Sequence, residues 1–134
     1  WPLSVSYTHS MAEARTDAAD RGVLEGDTLA SVPNNSLSLR LGAQVGSRWD
    51  NYAVVKYVDE MCVEIGCNRE ASNFAQTESF FVVDVGTRYA LTDAISAFVK
   101  VENAFGERAV VSRQPDGSRP NKPLTAMLGV EWIF

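Results

Sequence analysis

The 134-residue sequence is short of the side chains that most active sites need: it has one histidine, His9, and two cysteines, Cys62 and Cys67. With a single imidazole, no Ser-His-Asp or Cys-His relay can be assembled from these residues alone, and the chain reads as a non-enzyme. The two cysteines are separated by four residues, a spacing that suits half a zinc site, but the sequence has no second pair, so no metal site is expected. Basic residues are also few. Twelve Lys and Arg stand against 17 Asp and Glu, a net charge of −5, and no basic cluster could track a phosphate backbone, which excludes nucleic acid as a partner. No run of about 18 apolar residues is present, so no membrane helix is encoded. The densest apolar patches run from Phe80 to Val83 and from Met127 to Phe134. A membrane β-barrel survives that test, because its segments of roughly 10 residues alternate in character and average to ordinary hydropathy. The first residue is Trp1 rather than Met, and no basic stretch followed by an apolar core opens the chain, so it reads as a fragment or processed product.

What the sequence does have is a globular balance, 46% hydrophobic with 22% charged residues, so defined structure is expected rather than disorder. It also alternates. Leu37, Leu39, Leu41, Ala43 and Val45 fall on one face while Ser38, Arg40, Gly42 and Gln44 fall on the other, the period of a strand and not of a helix. At the N-terminus Trp1, Leu3, Val5 and Tyr7 alternate with Pro2, Ser4, Ser6 and Thr8. A third segment sets Trp49, Ala53, Val55 and Tyr57 against Asp50 and Lys56, with Asn51, Tyr52 and Val54 breaking the rule. The fourth sets Phe81, Val83, Val85, Tyr89 and Leu91 against Asp84, Gly86 and Arg88, and the fifth Ile95, Ala97, Val99 and Val101 against Ser96, Lys100 and Glu102. The last carries Leu124, Ala126, Leu128, Val130, Trp132 and Phe134 on its apolar face. β-Branched and aromatic residues are frequent, as pleated surfaces favour. The predicted fold class is all-β, with about six antiparallel strands.

The connections carry a second signal. Strands two and three are joined at Gly46-Ser47 and strands four and five at Thr92-Asp93, whereas the other joins run through about residues 11–35, 60–78 and 104–123. Long and short alternate strictly. Compact soluble domains rarely carry several long structureless loops, whereas outer-membrane barrels keep periplasmic turns short and extracellular loops long. Trp49 and Tyr57 are eight residues apart on one face, as are Phe81 and Tyr89. At about 3.3 Å per residue and a tilt near 40°, that spacing rises roughly 20 Å, close to the apolar band of about 25 Å between two aromatic girdles. Trp1, Trp49, Tyr89, Trp132 and Phe134 share the short-turn level. Alternation alone also describes one sheet of a soluble sandwich, so a structural or adhesive β-domain, soluble or surface-attached, stands as the alternative reading.

The last eleven residues, LTAMLGVEWIF, keep apolar residues at every second position from Phe134 back to Leu124. They resemble the C-terminal signature of outer-membrane proteins that the barrel-assembly machinery reads, carried here by Leu128, Val130, Trp132 and Phe134. The stretch VKVENAFGERAVVSRQPDGSRPNKPLTAMLGVEWIF is similar to the end of TonB-dependent receptors, where a "veNlf" strand end precedes an "RPdGaRPgkPr" loop and a final strand. Asn103, Phe105, Pro115, Asp116, Gly117, Arg119, Pro120, Lys122 and Pro123 match that pattern, while Leu124, Gln114 and Ala104 depart from it. Upstream, SVPNNSLSLRLG and WDNYAVVKYVDEM resemble the family's usual strand pair. The nearest group is the ferric-citrate-like one. The resemblance implies that residues 1–134 are the C-terminal strands of a transmembrane β-barrel of about 22 strands in the bacterial outer membrane. The family binds a ferric chelate outside and imports it when TonB pulls on an N-terminal plug; neither plug nor TonB box has a counterpart here. Implied partners are outer-membrane lipid, the ferric chelate, TonB through the missing plug, and the barrel-assembly machinery. No cofactor is implied.

In an oxidising envelope a disulfide between Cys62 and Cys67 is expected, with free thiols as the alternative. His9 continues the parity of Tyr7 and is expected at the surface rather than as a ligand. Glu13, Asp17, Asp20, Asp59 and Glu60 gather near the long-loop rim, where a solvated face is expected before a cation site. Arg113, Arg119 and Lys122 fall in the last long loop. Because ferric chelates of citrate or siderophore type are often anionic and Arg grips carboxylates in bidentate fashion, these three are the ligand candidates. The competing reading gives Arg119 a structural role, pairing across the PDGSRP turn.

Overall fold

A computed structural model describes residues 2–17, 22–69, 74–114 and 117–133. Trp1, Asp20, Pro115, Asp116 and Phe134 lie outside the described residues. The chain runs β1 (Leu3–His9), β2 (Asn35–Val45), β3 (Trp49–Val58), β4 (Phe80–Ala90), β5 (Ile95–Glu102), β6 (Val110–Ser112), β7 (Arg119–Pro120) and β8 (Thr125–Trp132), with a 3-10 turn at Cys67–Arg69. Six strands form one antiparallel sheet in the order β1-β2-β3-β4-β5-β8, and β6 pairs with β7 separately.

Register decides which side chains share a face. One rung crosses all six strands as Leu3, Leu41, Ala53, Val85, Val101 and Ala126. A neighbouring rung of opposite parity reads Gly42, Tyr52, Gly86, Lys100 and Met127. Successive strand residues point to opposite faces, so the sheet has one apolar and one largely polar side. The apolar side has no second layer over it among the described residues: Leu3, Val5, Tyr7, Leu41, Val45, Trp49, Tyr89, Leu128, Val130 and Trp132 are all exposed. A sandwich would bury such a face under another sheet. Here the small β6–β7 sheet leans the other way, since Val111 lines a cavity together with Lys56, Val82 and Asp84 of the polar face.

The described residues of the long connections carry hydrogen-bonded structure of their own. In the first, Ala14 N–H donates to Asp27 O at 2.8 Å and Leu29 N–H to Ala12 O at 2.9 Å. In the second, Val63 N–H donates to Ala75 O at 2.8 Å and Thr77 N–H to Met61 O at 2.9 Å. In both, described residues on the two sides pair antiparallel, at Glu13 with Thr28 and at Cys62 with Gln76. The third, read from sequence as structureless, contains β6 and β7; strands of three and two residues are too short for periodicity to register. Leu91 and Leu124, counted with the fourth and last strands, lie just outside β4 and β8. At the short turns, Gly46 takes φ +63, and Thr92 Oγ1 accepts from Ala94 N–H and Ile95 N–H at 3.2 and 3.0 Å.

Candidate functional site: a polar sheet face capped by linked loops

The polar face is organised by aromatic rings lying over glycines. Tyr52 faces Gly86 across the β3–β4 ladder, and a Cβ built at Gly86 would sit 2.3 Å from the ring. Phe98 covers Gly129 in the same way at 2.4 Å. These two rings account for apolar residues at polar positions: Tyr52, a break in the third segment's alternation, occupies space that only a glycine opposite can leave. Arg40 stacks its guanidinium 5.3 Å from the Tyr52 centroid. Around them run charge pairs. Arg88 Nη2 meets Glu131 Oε2 at 2.7 Å while its Nε donates to Ser96 Oγ at 3.0 Å, and Lys56 lies 3.6 Å from Asp84. Lys100 and Lys122 both pair with Glu102. Arg40, Tyr52, Arg88, Phe98 and Lys100 line a groove of about 480 Å³ along this face.

Toward the long-loop end a second cavity of about 330 Å³ lies between the polar face and β6, lined by Lys56, Asp84, Glu102, Asn121 and Lys122. Asn103 holds its roof. It is buried and takes φ +51, a region that asparagine tolerates better than most residues. Its side chain donates to the carbonyls of Glu107 and Lys122 at 2.8 and 2.9 Å and accepts from Glu107 N–H at 3.0 Å, while its own N–H donates to Asp84 at 2.9 Å.

The three ligand candidates are treated differently by the fold. Arg113 is spent on the loop layer: Nε donates to Gln76 O at 2.8 Å, Nη1 donates to Ser118 Oγ at 2.9 Å, and the guanidinium lies 5.4 Å from the Phe74 centroid. Lys122 sits lower, on Glu102 at the end of β5. Arg119 is exposed on β7, and its side chain makes no ion pair or hydrogen bond with another described residue. The cross-loop role considered for Arg119 thus falls to Arg113. Cys62 and Cys67 are joined by a disulfide with Cα atoms 5.6 Å apart. Its neighbour, a bidentate pair between Asp27 and Arg69 that ties the first connection to the second, has no sequence signature. Residues 42 apart in irregular segments have no periodic signal to reveal them.

The acidic residues separate. Asp17 accepts from Glu25 N–H at 2.7 Å within the first connection. Glu13 bridges to Thr28. Asp59 belongs to a rim network: Tyr57 Oη donates to Asp59 Oδ1 at 2.7 Å, and Asn35 Nδ2 donates to Asp59 Oδ2 at 2.6 Å. The Tyr57 hydroxyl, followed by the Asn35 amide, holds the Asp59 carboxyl below its ordinary value against the opposing effect of burial. Asn35 Oδ1 also accepts from Tyr7 Oη at 2.8 Å and lies 2.9 Å from His9 Nδ1, so His9 is an exposed rim side chain.

On the apolar face, Tyr7, Leu37, Tyr57 and Phe81 form one rung beside that network, and Val45, Trp49, Tyr89, Ala97 and Val130 form another beside the short turns. Tyr7 and Tyr57 share the parity of the open face and give their hydroxyls to the polar rim network, the habit of aromatic residues at a membrane interface. Asn51 breaks the alternation from the apolar side and is satisfied there: Thr87 Oγ1 donates to Asn51 Oδ1 at 2.8 Å and Trp49 Nε1 donates to Thr87 Oγ1 at 2.6 Å. Leu128, Val130 and Trp132 all stand on this face, at 81%, 68% and 69% exposed.

An open antiparallel sheet with an uncovered apolar face, two aromatic rungs, short turns at one end and capped loops at the other is the fold of a stretch of outer-membrane-type barrel wall. Comparisons with solved structures show which barrels share this fold. The chain is similar to the ferric-catecholate import receptor Fiu from E. coli K12 in its closed form, with 21% identity over 98% of this chain and a TM-score of 0.77. It is similar to BauA, the ferric preacinetobactin receptor of Acinetobacter baumannii, with 19% identity over 97% and a TM-score of 0.72. The pyoverdine outer membrane receptor FpvA of Pseudomonas aeruginosa gives 19% identity over 98% and a TM-score of 0.72. The chain spans 19% of the length of each of these receptors. It therefore has the fold of a segment of a ferric-siderophore receptor barrel. No family model matches the sequence, and no curated protein matches it either.

Proposed function

We propose that this chain is part of the wall, rim and loops of an outer-membrane active-transport receptor that binds a ferric chelate outside and imports it with energy delivered by TonB through a plug domain. On this reading residues 1–134 are C-terminal strands of a larger barrel, since six strands fall short of the roughly 8 that a bacterial barrel needs. The observation that carries the reading is the uncovered apolar face bordered by two aromatic rungs, a surface suited to lipid. Likeness in fold to receptors for ferric catecholate, ferric preacinetobactin and pyoverdine supports iron chelates as the cargo class. The role is transport and not catalysis. Leu128, Val130, Trp132 and Phe134 would be read by the barrel-assembly machinery. Of the ligand candidates, Arg119 is the best suited to an anionic chelate, because Arg113 and Lys122 already serve partners within the chain. The test is uptake of iron-55 chelates of citrate, catecholate and hydroxamate type by cells carrying the full-length protein, with and without TonB. Uptake of one class that disappears without TonB is expected. A full-length protein that remains soluble and monodisperse without detergent would instead establish the structural or adhesive alternative.

A further inference from the structure

We infer that the Cys62–Cys67 disulfide and the Asp27–Arg69 ion pair act as one coupled latch, which fastens the first long connection to the second and which a dithiol reductant opens. Asp27 is 1% exposed, the most deeply buried side chain described, although the connection around it is mostly exposed. A carboxylate is kept at such depth only while its partner is held in place, because a buried charge left alone is strongly destabilising. That partner comes from the other connection. Arg69 Nε and Nη2 reach the two carboxylate oxygens at 2.7 and 2.8 Å, and Leu24 N–H adds a third bond at 2.7 Å.

Further contacts bind the same two segments. Thr28 N–H donates to Asn68 Oδ1 at 3.1 Å, Gly66 N–H to Thr28 O at 3.0 Å, and Ser31 N–H to Cys62 O at 2.8 Å. On the second connection, Arg69, Asn68, Gly66 and Cys62 all fall within the short segment that the disulfide closes and the 3-10 turn continues. Gly66 marks the tightest point: it has φ +82, and a Cβ there would lie 2.6 Å from Arg69 Nη2 and 3.0 Å from Asp27 Oδ2. The path of residues 62–69 therefore decides whether Arg69 meets Asp27, and the disulfide restricts that path. The dependence runs both ways, for the docked connections leave Cys62 and Cys67 only 6% and 3% exposed. If the disulfide favours docking by some factor, docking must disfavour reduction by the same factor.

In the opening step a dithiol gives two electrons and two protons to the S–S bond; Cys62 and Cys67 become thiols, and the reductant closes to its own disulfide. The freed segment samples more conformations, Arg69 withdraws, and Asp27 is hydrated. None of this requires the transport reading.

The test uses the full-length protein folded in detergent micelles, with heat-modifiable mobility showing that the barrel is intact. Trypsin cleavage after Arg15, exposed in the first connection, reports undocking. Cys62→Ser/Cys67→Ser, Asp27→Asn, and the unaltered protein after dithiothreitol treatment are each expected to be cleaved about 5- to 150-fold faster, the usual range of such couplings. Asp27→Asn should also speed reduction of the disulfide, followed by thiol alkylation, by a similar factor. Adding Asp27→Asn to the double serine variant should bring little further gain. Unchanged protection at Arg15 without the disulfide, or equal reduction rates with and without Asp27, would overturn the latch.

Discussion

Replacing Gly86 by alanine sets two effects of opposite sign against each other. The position has no positive φ, so the backbone accepts a side chain, and Gly→Ala at an unstrained site usually stabilises by about 0.4–1 kcal/mol through the unfolded state. Against this, the new methyl would meet Tyr52 Cε1, Cζ and Oη at 2.3, 2.4 and 2.6 Å. Ordinary carbon contacts are about 3.5–4.0 Å, so the ring must move by more than about 1 Å. Overpacking of this kind costs about 1–3 kcal/mol, and pulling Tyr52 from Arg40 removes a cation–π contact worth about 0.5–1 kcal/mol. Sterics should therefore prevail, with a net loss of about 1–3 kcal/mol. Reversible urea unfolding of the full-length barrel in phospholipid vesicles measures it. In a Tyr52→Ala background the same Gly86→Ala change should become neutral or stabilising. Additivity of the two substitutions within about 0.5 kcal/mol would refute the claim that ring-over-glycine packing organises this face.

Leu128→Ser should lower the amount of heat-modifiable barrel in outer-membrane fractions, at a burial cost of about 1.5–3 kcal/mol against lipid, whereas Met127→Ser, on the polar parity, should have a smaller effect. Asn103→Ala removes three side-chain hydrogen bonds worth about 0.5–1.5 kcal/mol each, so proteolysis between β5 and β8 should accelerate, and Asn103→Gly should recover only the φ component. Asp59 has a folded-state pKa below its unfolded value of about 3.9, so its contribution to stability is present above that pH and is lost as pH falls through the folded value. Thermal melts from pH 7 to pH 2 should therefore show a smaller acid-induced drop for Asp59→Asn than for the unaltered protein. Equal drops would dissociate the rim network from acid stability.

Alternation in β2, β4 and β8 was legible from the sequence because one residue of parity moves a side chain through the whole thickness of the sheet, and the apolar set cannot be divided between faces without exposing it. The two short turns, the long connections and the aromatic levels followed from the same local rules. The irregularities did not. Tyr52 and Phe98 stand on the polar face because Gly86 and Gly129 lie opposite them on neighbouring strands, and Asn51 is tolerated on the apolar face because Thr87 meets it across β3–β4. Those partners are 31 to 36 residues away, and only register brings them together. Loop chemistry was decided later still. Arg113, Arg119 and Lys122 are one charge type in one sequence motif, yet Gln76 and Ser118 occupy the first, Glu102 pairs the third, and the second is left exposed. Asp27 and Arg69 carried no local signal, because a buried ion pair between irregular segments depends on the path of two chains in space and not on the period of either.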